Sequence, residues 1–326
     1  MMYNKFGFTI VLLLSFFAVS AQRGFYVVKD SLTQEPLPYA NIDFLNGYGI
    51  FSDENGKLVS NKDLPEKIKI SYVGYQAKTV LLSTVQGSDI FLKPSSNMLE
   101  ELKVVVSKED LKKRKEFVTK PLLHDDMDQM YWSSIGQQIA FYIPQEKRKS
   151  VLKSIVIPLI VKDIHQGITE TSFEDEPYGT MVKFEFMRND ANIPGEKLYD
   201  YNKVFVIEVA KISEKVEVKF EEELPIPENG FFVVMTIIGK TNIQGEYVSE
   251  VPYSVAEYRS QEKKIMKIIL PNYPLVEAPK GKLTLFRHLF ANSGSWRQID
   301  KPMVYKKDKK YPLYNIGVGY TITGYQ

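Results

Sequence analysis

The pentapeptide HDDMD, residues 124–128, is the densest group of side chains able to bind a metal ion. His124, Asp125, Asp126 and Asp128 offer one imidazole and three carboxylates, and oxygen ligands suit calcium. A calcium loop needs further ligands at fixed spacings, and no such loop follows here. We therefore interpret the segment as a polar linker with helix-capping aspartates, and we expect neither a metal nor a cofactor.

Familiar catalytic motifs are missing elsewhere in the sequence. None of the three histidines lies in an HExxH motif or a close HxH pair, as a zinc peptidase requires. The chain has no cysteine, which excludes disulfides, thiolate zinc sites and cysteine nucleophiles. No serine lies in a GxSxG motif, and NSGSW at 292–296 is a predicted loop. These observations favour a protein without catalytic residues.

Paired carboxylates, such as those within Glu221–Glu223, are the remaining route to catalysis. Glycoside hydrolysis needs two carboxyl groups that face each other across a cleft, about 5–10 Å apart. Spacing along the chain does not give this distance, so a glycan-acting hydrolase stays open as the alternative function. Charge at a strand edge explains these residues more simply.

The two tryptophans are the candidate ligand-binding residues, because aromatic rings can form platforms for sugars. Trp132 and Trp296 are each flanked by polar residues, and Trp296 follows a Gly-Ser loop. Tryptophan in a β-sandwich more often packs partly buried, so both are weak candidates.

Length and charge limit the class of protein. A chain of 326 residues has room for roughly two domains, and an apolar fraction of 44% supplies a core. Lysine and arginine total 42 against 40 aspartate and glutamate residues. A nucleic-acid surface normally needs a clustered basic excess, so we expect no nucleic-acid partner.

Residues 1–21 are predicted to be a signal peptide. Lys5 provides a positive charge, an apolar stretch follows, and Val19-Ser20-Ala21 places small residues at a cleavage site. The apolar stretch is shorter than the roughly 20 residues of a membrane span. We expect a mature chain that starts near Gln22, lacks a transmembrane span, and resides in the periplasm or at the outer-membrane or cell surface.

Residues 22–97 are predicted to form a small antiparallel sandwich of about seven strands. In KIKISYV, residues 67–73, apolar and polar side chains alternate as in a half-buried strand. Gly74 follows, where a residue without Cβ lets the chain turn over so that the next strand can pair. Asn55 and Gly56 form an Asn-Gly step, which predicts a hairpin turn.

Three motifs give this module a resemblance to a known family: EPLPYANI at 35–42, SDENGKL at 52–58 and ISYVGYQAK at 70–78. Together they resemble the carboxypeptidase-regulatory-like domain of exported Bacteroidetes proteins. The resemblance implies a transthyretin-like sandwich of seven strands without peptidase activity. MLEELKVVVSK, at 98–108, is similar to a segment before the plug of TonB-dependent receptors, but the remaining residues, about 220, are too few for a receptor barrel.

Residues 98–130 are predicted to be a linker with a short strand or helix. Its first half is densely charged, and Pro121 lies in the second half. The run KKRK at 112–115 is flanked by acidic residues, so we interpret it as a solvated face and not as a basic binding patch.

Residues 131–326 return to period-2 alternation and predict a jelly-roll-like β-sandwich, which we expect to be the binding domain. In KVEVKFEE, residues 215–222, alternate side chains are apolar and charged. The segments IGQQIAFYI at 135–143, ANIPGEKLY at 191–199 and LPIPENGFFVVM at 224–235 resemble β-sandwich domains of exported Bacteroidetes proteins.

The sequence thus predicts an exported all-β protein with two sandwich modules. Its expected function is that of a non-catalytic envelope protein, a binding or assembly module for a protein or glycan partner. Besides the hydrolase, an accessory component of type IX secretion or of TonB-dependent nutrient uptake remains an alternative.

Overall fold

The computed structural model describes residues 25–59, 64–95, 114–123, 130–146, 149–160, 179–208, 214–258, 261–277, 283–291, 294–299 and 314–325. The predicted signal peptide, its cleavage site before Gln22, and HDDMD lie outside these residues. The described part is all-β and includes a short 3-10 turn at Leu82–Thr84.

Seven strands form the N-terminal module, residues 25–95: β1 (Phe25–Asp30), β2 (Asn41–Asp43), β3 (Gly49–Phe51), β4 (Lys57–Val59), β5 (Lys67–Ser71), β6 (Lys78–Leu81) and β7 (Asp89–Leu92). One sheet has the order β4-β1-β7 and the other β3-β2-β5-β6. The prediction of an antiparallel module is wrong for β1 and β7, which run parallel with Val27 opposite Asp89.

Strand β5 shows why these residues form a half-buried sheet. Ile68 and Ile70 have no exposed surface, whereas Lys67 and Lys69 point to solvent. Successive side chains of a strand lie on opposite faces, so the alternating sequence places every second side chain in the core. The period-2 pattern predicts this strand and its buried face correctly.

Gly74 lies in the turn between β5 and β6, which pair antiparallel with Lys67 opposite Leu81. Its φ of +86° is in the left-handed region that favours glycine. The backbone N–H of Tyr75 donates to the carbonyl of Tyr72 at 3.0 Å and closes the turn.

Gly74→Val is expected to lower the free energy of unfolding by about 1–3 kcal/mol, because a β-branched residue is strained at positive φ. A Cβ at this position would meet nothing within 4 Å, so the cost is conformational and not steric. Urea unfolding of the whole chain measures it. An unchanged midpoint would show that the turn adopts another backbone conformation without cost.

The Asn-Gly turn does not close a hairpin, which corrects the sequence prediction. Strand β3 pairs with β2, whereas β4 pairs with β1 in the other sheet, so the chain changes sheets here. The carboxylate of Asp53 accepts the backbone N–H of Asn55 at 2.9 Å and that of Lys57 at 2.7 Å. Gly56 has a φ of +69°. The four residues DENG thus cross between sheets and do not connect paired neighbours.

Gly56→Ala is expected to destabilise the protein by about 2–3 kcal/mol, because a Cβ adds a clash to the backbone strain. The new Cβ would lie 2.6 Å from the carbonyl oxygen of Val28. Gly87→Ala is the matched control, with a φ of +80° but open space around its Cβ, and it should cost about 1 kcal/mol. Thermal melts of both variants give the difference. Equal losses would exclude the steric contribution.

In the described residues of the C-terminal module there are sixteen strands: β8 (Arg114–Thr119), β9 (Met130–Tyr131), β10 (Gln137–Ile143), β11 (Lys149–Pro158), β12 (Gly179–Asp190), β13 (Ile193–Lys197), β14 (Lys203–Glu208), β15 (Lys215–Pro225), β16 (Phe231–Thr241), β17 (Tyr247–Val248), β18 (Tyr253–Tyr258), β19 (Gln261–Met266), β20 (Tyr273–Glu277), β21 (Thr284–His288), β22 (Tyr314–Ile316) and β23 (Gly319–Tyr325).

The sheets of this module are antiparallel throughout the described residues. The largest follows the order β13-β12-β16-β10-β21, with β14 beside β12 and β17 beside β16. The others are β15-β11-β23-β8, β22-β20-β9 and the β18-β19 hairpin. Side chains of the seven- and four-stranded sheets form one core, among them Phe184, Phe231, Ile155 and Ile322.

Strand β16 is buried along all eleven residues. Both of its faces are therefore covered, which explains why apolar residues occupy both faces in place of alternation. At the edge of the other sheet, β15 keeps the predicted alternation. Val218 and Phe220 are buried there, while Glu217 and Lys219 are exposed.

Part of the predicted linker belongs to the second module. Residues 114–119 form β8, which pairs with β23 from Thr119 opposite Tyr320 to Arg114 opposite Tyr325. Arg114 and Lys115, from the basic run, are exposed on this edge strand. A cut near Lys115 would remove strand residues from the C-terminal module, so the modules cannot be separated cleanly there.

The two modules meet through a shared apolar cluster, which we call the joint. Phe51 of the N-terminal module packs there with buried residues of the C-terminal module: Ile135, Met181, Ile238, Ile269 and Phe290. The Tyr48 hydroxyl donates to the Lys264 carbonyl at 3.0 Å, and its ring lies 4.7 Å from that of Tyr253. Apolar packing and a hydrogen bond therefore fix the modules against each other.

Candidate inter-module binding site

A row of polar side chains crosses the face of the seven-stranded sheet that turns away from the main core. Lys183 pairs with Thr236, Thr236 with Gln138, and Gln138 with Arg287, across β12, β16, β10 and β21. The side-chain Nε2 of Gln138 donates to the Thr236 hydroxyl at 2.8 Å, and the Arg287 Nε donates to the side-chain Oε1 of Gln138 at 2.5 Å. The backbone register alone brings these four residues together.

Glu185 neutralises part of this buried charge. It lies two residues after Lys183 on the same face of β12, and their Nζ and Oε1 atoms are 3.4 Å apart. Both side chains are about 5% exposed or less. Burial lowers the pKa of Arg287 to about 10, with the Glu185 carboxylate opposing the shift, so the guanidinium stays charged at neutral pH.

Tyr72 of the N-terminal module covers one end of the row. The Lys183 ammonium lies 5.6 Å from the Tyr72 ring centroid, within range of a cation–π interaction. Burial, and to a lesser degree the Glu185 carboxylate, raise the pKa of the Tyr72 phenol. The turn between β5 and β6 is thus docked on the C-terminal sheet.

Beside this contact the modules leave a cleft of about 870 Å³. Its N-terminal wall consists of Pro36, Leu37, Pro38, Tyr72, Val73, Gly74, Tyr75, Pro94 and Ser95. Its C-terminal wall consists of Met187, Gly195, Glu196, Lys197, Asp200 and Asn202. The volume lies within the range of small-ligand sites, and we call this feature the inter-module cleft.

The tyrosines of the N-terminal wall are held in place. The Tyr75 hydroxyl donates to Oδ2 of Asp30 at 2.7 Å, and the rings of Tyr72 and Tyr75 meet edge to face at 5.4 Å. The backbone N–H of Leu32 and the Tyr75 hydroxyl lower the pKa of Asp30. The aromatic wall is therefore preorganised.

The opposite wall is mainly polar and comes from β13 and the loop that follows it, with Met187 added from β12. The Lys197 ammonium lies 3.6 Å from Oδ1 of Asp200, whose side chain is 93% exposed. The carboxylate of Asp190 packs directly against Gly195. A Cβ on residue 195 would lie 1.7 Å from Oδ2 of Asp190, so only glycine leaves room for this contact. The side chain of Asn202 makes no hydrogen bond to another residue in the part of the chain described.

Neither tryptophan lines the cleft. Trp296 is half-buried against an apolar cluster that includes Phe232 and Leu285. The guanidinium of Arg287 lies 4.2 Å from its ring centroid and covers one face of the indole. Trp132 is half-buried next to Tyr131.

The carboxylates singled out in the sequence bind neighbouring side chains. Glu221 accepts hydrogen bonds from Lys203 and, at 2.6 Å, from Tyr201, and the first of these holds its pKa at about 2. Glu223 pairs with Lys153 at 3.3 Å. Among the described residues no group of three His, Cys, Asp or Glu side chains is placed to hold a metal ion.

His288 lies at the joint, in a largely desolvated site. Its Nδ1 accepts the backbone N–H of Phe290 at 3.3 Å, and its Nε2 is buried. Burial lowers its pKa from 6.5 to about 4. The imidazole is therefore neutral at physiological pH.

Acidification is expected to destabilise the protein through His288. Between pH 6.5 and 4 the unfolded histidine binds a proton that the folded one does not, so stability falls as the pH drops. The expected loss from pH 7 to pH 5 is about 2 kcal/mol. Urea unfolding across this range should show a shallower slope for His288→Gln. Equal slopes for wild type and His288→Gln would contradict the prediction.

The sequence did not indicate the inter-module cleft, although one signal was present. In YVGY, residues 72–75, the turn carries two large aromatic side chains where small polar residues are usual. Large rings in a turn indicate a surface that contacts something else. In this chain the two rings line the cleft.

In the described part of the chain, no helix has the length and apolar character needed to cross a membrane. Comparison with known proteins adds no assignment, because no family model, no curated protein and no solved structure matches this chain.

Proposed function

We propose that this chain is an exported, non-catalytic envelope protein that binds or assembles a protein or glycan partner. The inter-module cleft carries the proposal, because it is a preorganised concave surface with both aromatic and hydrogen-bonding groups. The packed joint supports the same function, since its contacts place the two walls opposite each other. Residues 131–326 alone would provide only one wall.

We also propose a specific sandwich fold for each module. Seven strands in sheets of three and four support a transthyretin-like, carboxypeptidase-regulatory-like module. A seven-stranded sheet packed on a four-stranded sheet supports a jelly-roll-like sandwich. The signal-like residues 1–21 support export to the periplasm or the outer-membrane surface.

Retention of envelope components by the whole exported chain tests the function. Immobilised protein is incubated with periplasmic, outer-membrane and cell-wall glycan fractions, beside an Asn202→Ala variant. We expect a component that the wild type retains and the variant releases. Equal retention by both proteins would contradict a binding role for the cleft.

N-terminal sequencing of the exported protein should place its first residue within a residue or two of Gln22.

A glycan-acting hydrolase is the second candidate, because two carboxylates, Glu196 and Asp200, line the same cleft. Hydrolysis needs one of them as the acid and the other as the base or nucleophile. Release of reducing ends by the wild type, lost in both Glu196→Gln and Asp200→Asn, would establish this activity and overturn the non-catalytic proposal.

A further inference from the structure

The two walls of the inter-module cleft differ in chemistry. The N-terminal wall presents the rings of Tyr72 and Tyr75 and the prolines Pro36, Pro38 and Pro94. The C-terminal wall presents an ammonium, two carboxylates and an amide, from Glu196, Lys197, Asp200 and Asn202. A ligand that satisfies both walls has apolar faces together with many hydrogen-bonding groups.

The charge of the cleft favours a neutral ligand. Among the described residues that line the cleft, Lys197 is the one basic side chain, and Asp200 pairs with it at 3.6 Å. Because this carboxylate balances the ammonium, a phosphate or an acidic polymer would meet no cationic excess. Lys183, next to the Tyr72 ring, is itself paired with Glu185.

The backbone of the walls disfavours an extended peptide. Strand β13 is an edge strand, where a peptide could add through main-chain hydrogen bonds. Pro194 in that strand has no N–H to donate. Pro36, Pro38 and Pro94 remove donors from the opposite wall in the same way.

We propose that the inter-module cleft binds a neutral oligosaccharide, an inference that rests on the binding function proposed above. The apolar faces of the sugar rings pack against Tyr72 and Tyr75, and the hydroxyls bond to Asp200 and Asn202. Both tyrosine rings are already held, by Asp30 and by each other, so little side-chain freedom is lost on binding. The volume of about 870 Å³ suits a short oligosaccharide better than a single sugar.

Calorimetric titration of the whole exported chain tests this inference. The probes are short neutral gluco-, manno-, galacto- and xylo-oligosaccharides and, in a second arm, uncharged and proline-rich peptides. At least one oligosaccharide series should bind saturably, and Tyr72→Ala should weaken its affinity about 10-fold. Asn202→Ala should also weaken it, and this variant serves if Tyr72→Ala fails to fold.

Two substitutions outside the cleft are the matched controls. Phe25→Ala removes an aromatic ring that is 47% exposed, and Gln261→Ala removes an exposed amide on β19. Neither should change the affinity for the oligosaccharide. A loss in either control equal to that of the cleft variants would overturn the assignment of the site.

The remaining outcomes separate this inference from the proposed function. Absence of binding to every oligosaccharide series overturns the inference, and so does binding that the cleft variants leave unchanged. If a peptide binds and Tyr72→Ala abolishes that binding, the ligand of the cleft is a protein and not a glycan. The proposed binding function would then still hold. Turnover of a bound oligosaccharide would retain the ligand class but overturn the non-catalytic function.

Discussion

Phe51→Ala is expected to lower the free energy of unfolding by about 3–5 kcal/mol, the usual cost of truncating a buried phenylalanine. Phe51 is 1% exposed, and its ring centroid lies 5.7 Å from that of Phe290 across the joint. Truncation would leave a cavity between the modules. Both tryptophans belong to the C-terminal module, so their fluorescence reports on the module that does not contain Phe51.

The informative measurement is the midpoint of urea unfolding followed by tryptophan fluorescence and by circular dichroism. Both signals should shift together, because the joint couples the two modules. Phe25→Ala is the control, since Phe25 belongs to the same module but is 47% exposed, and it should change the midpoint little. A shift in circular dichroism alone would show that the modules unfold independently.

Glu185→Gln is expected to cost about 3–5 kcal/mol, because it leaves a buried cation without its partner. Glu185 is 3% exposed and pairs with Lys183 at 3.4 Å. Its carboxylate also favours the charged form of Arg287. Thermal and urea unfolding measure the loss, with Glu217→Gln as the control on the exposed face of β15.

A double variant separates the pair from the individual charges. Lys183→Met with Glu185→Leu removes both charges and keeps the volume, so it should recover much of the stability that Glu185→Gln loses. If Glu185→Gln lowers the free energy of unfolding no more than Glu217→Gln does, the Lys183 ammonium binds another partner or water in the variant.

The candidate site was predictable only in fragments. The sequence predicts that YVGY is a turn, and Gly74 does have a positive φ. The same turn also supplies two aromatic rings to the cleft, which the sequence pattern does not predict. Trp132 and Trp296 are candidates because of their residue type, which does not predict the side chains that surround them in the fold. Trp296 in fact packs beside Arg287. Residue type predicts what a side chain can do, while the ligand surface depends on which elements meet.

Local features of this protein follow from short stretches of its sequence. Alternation in KIKIS and KVEVKF gives strands with one buried face, because successive side chains of an extended chain point in opposite directions. Glycine at 56 and at 74 marks positive φ, because a Cβ resists that conformation. These properties depend on a few neighbouring residues.

Which strands pair, and what covers the faces of their sheets, follows from contacts in the folded protein. The DENG turn joins two sheets in place of two paired strands, and β8 belongs to a sheet instead of a linker. Alternation in VKFEF places Lys183 and Glu185 on a polar face, but Tyr72 and the neighbouring strands bury that face. Strand pairing and module docking depend on contacts between residues distant in sequence, which no local pattern records.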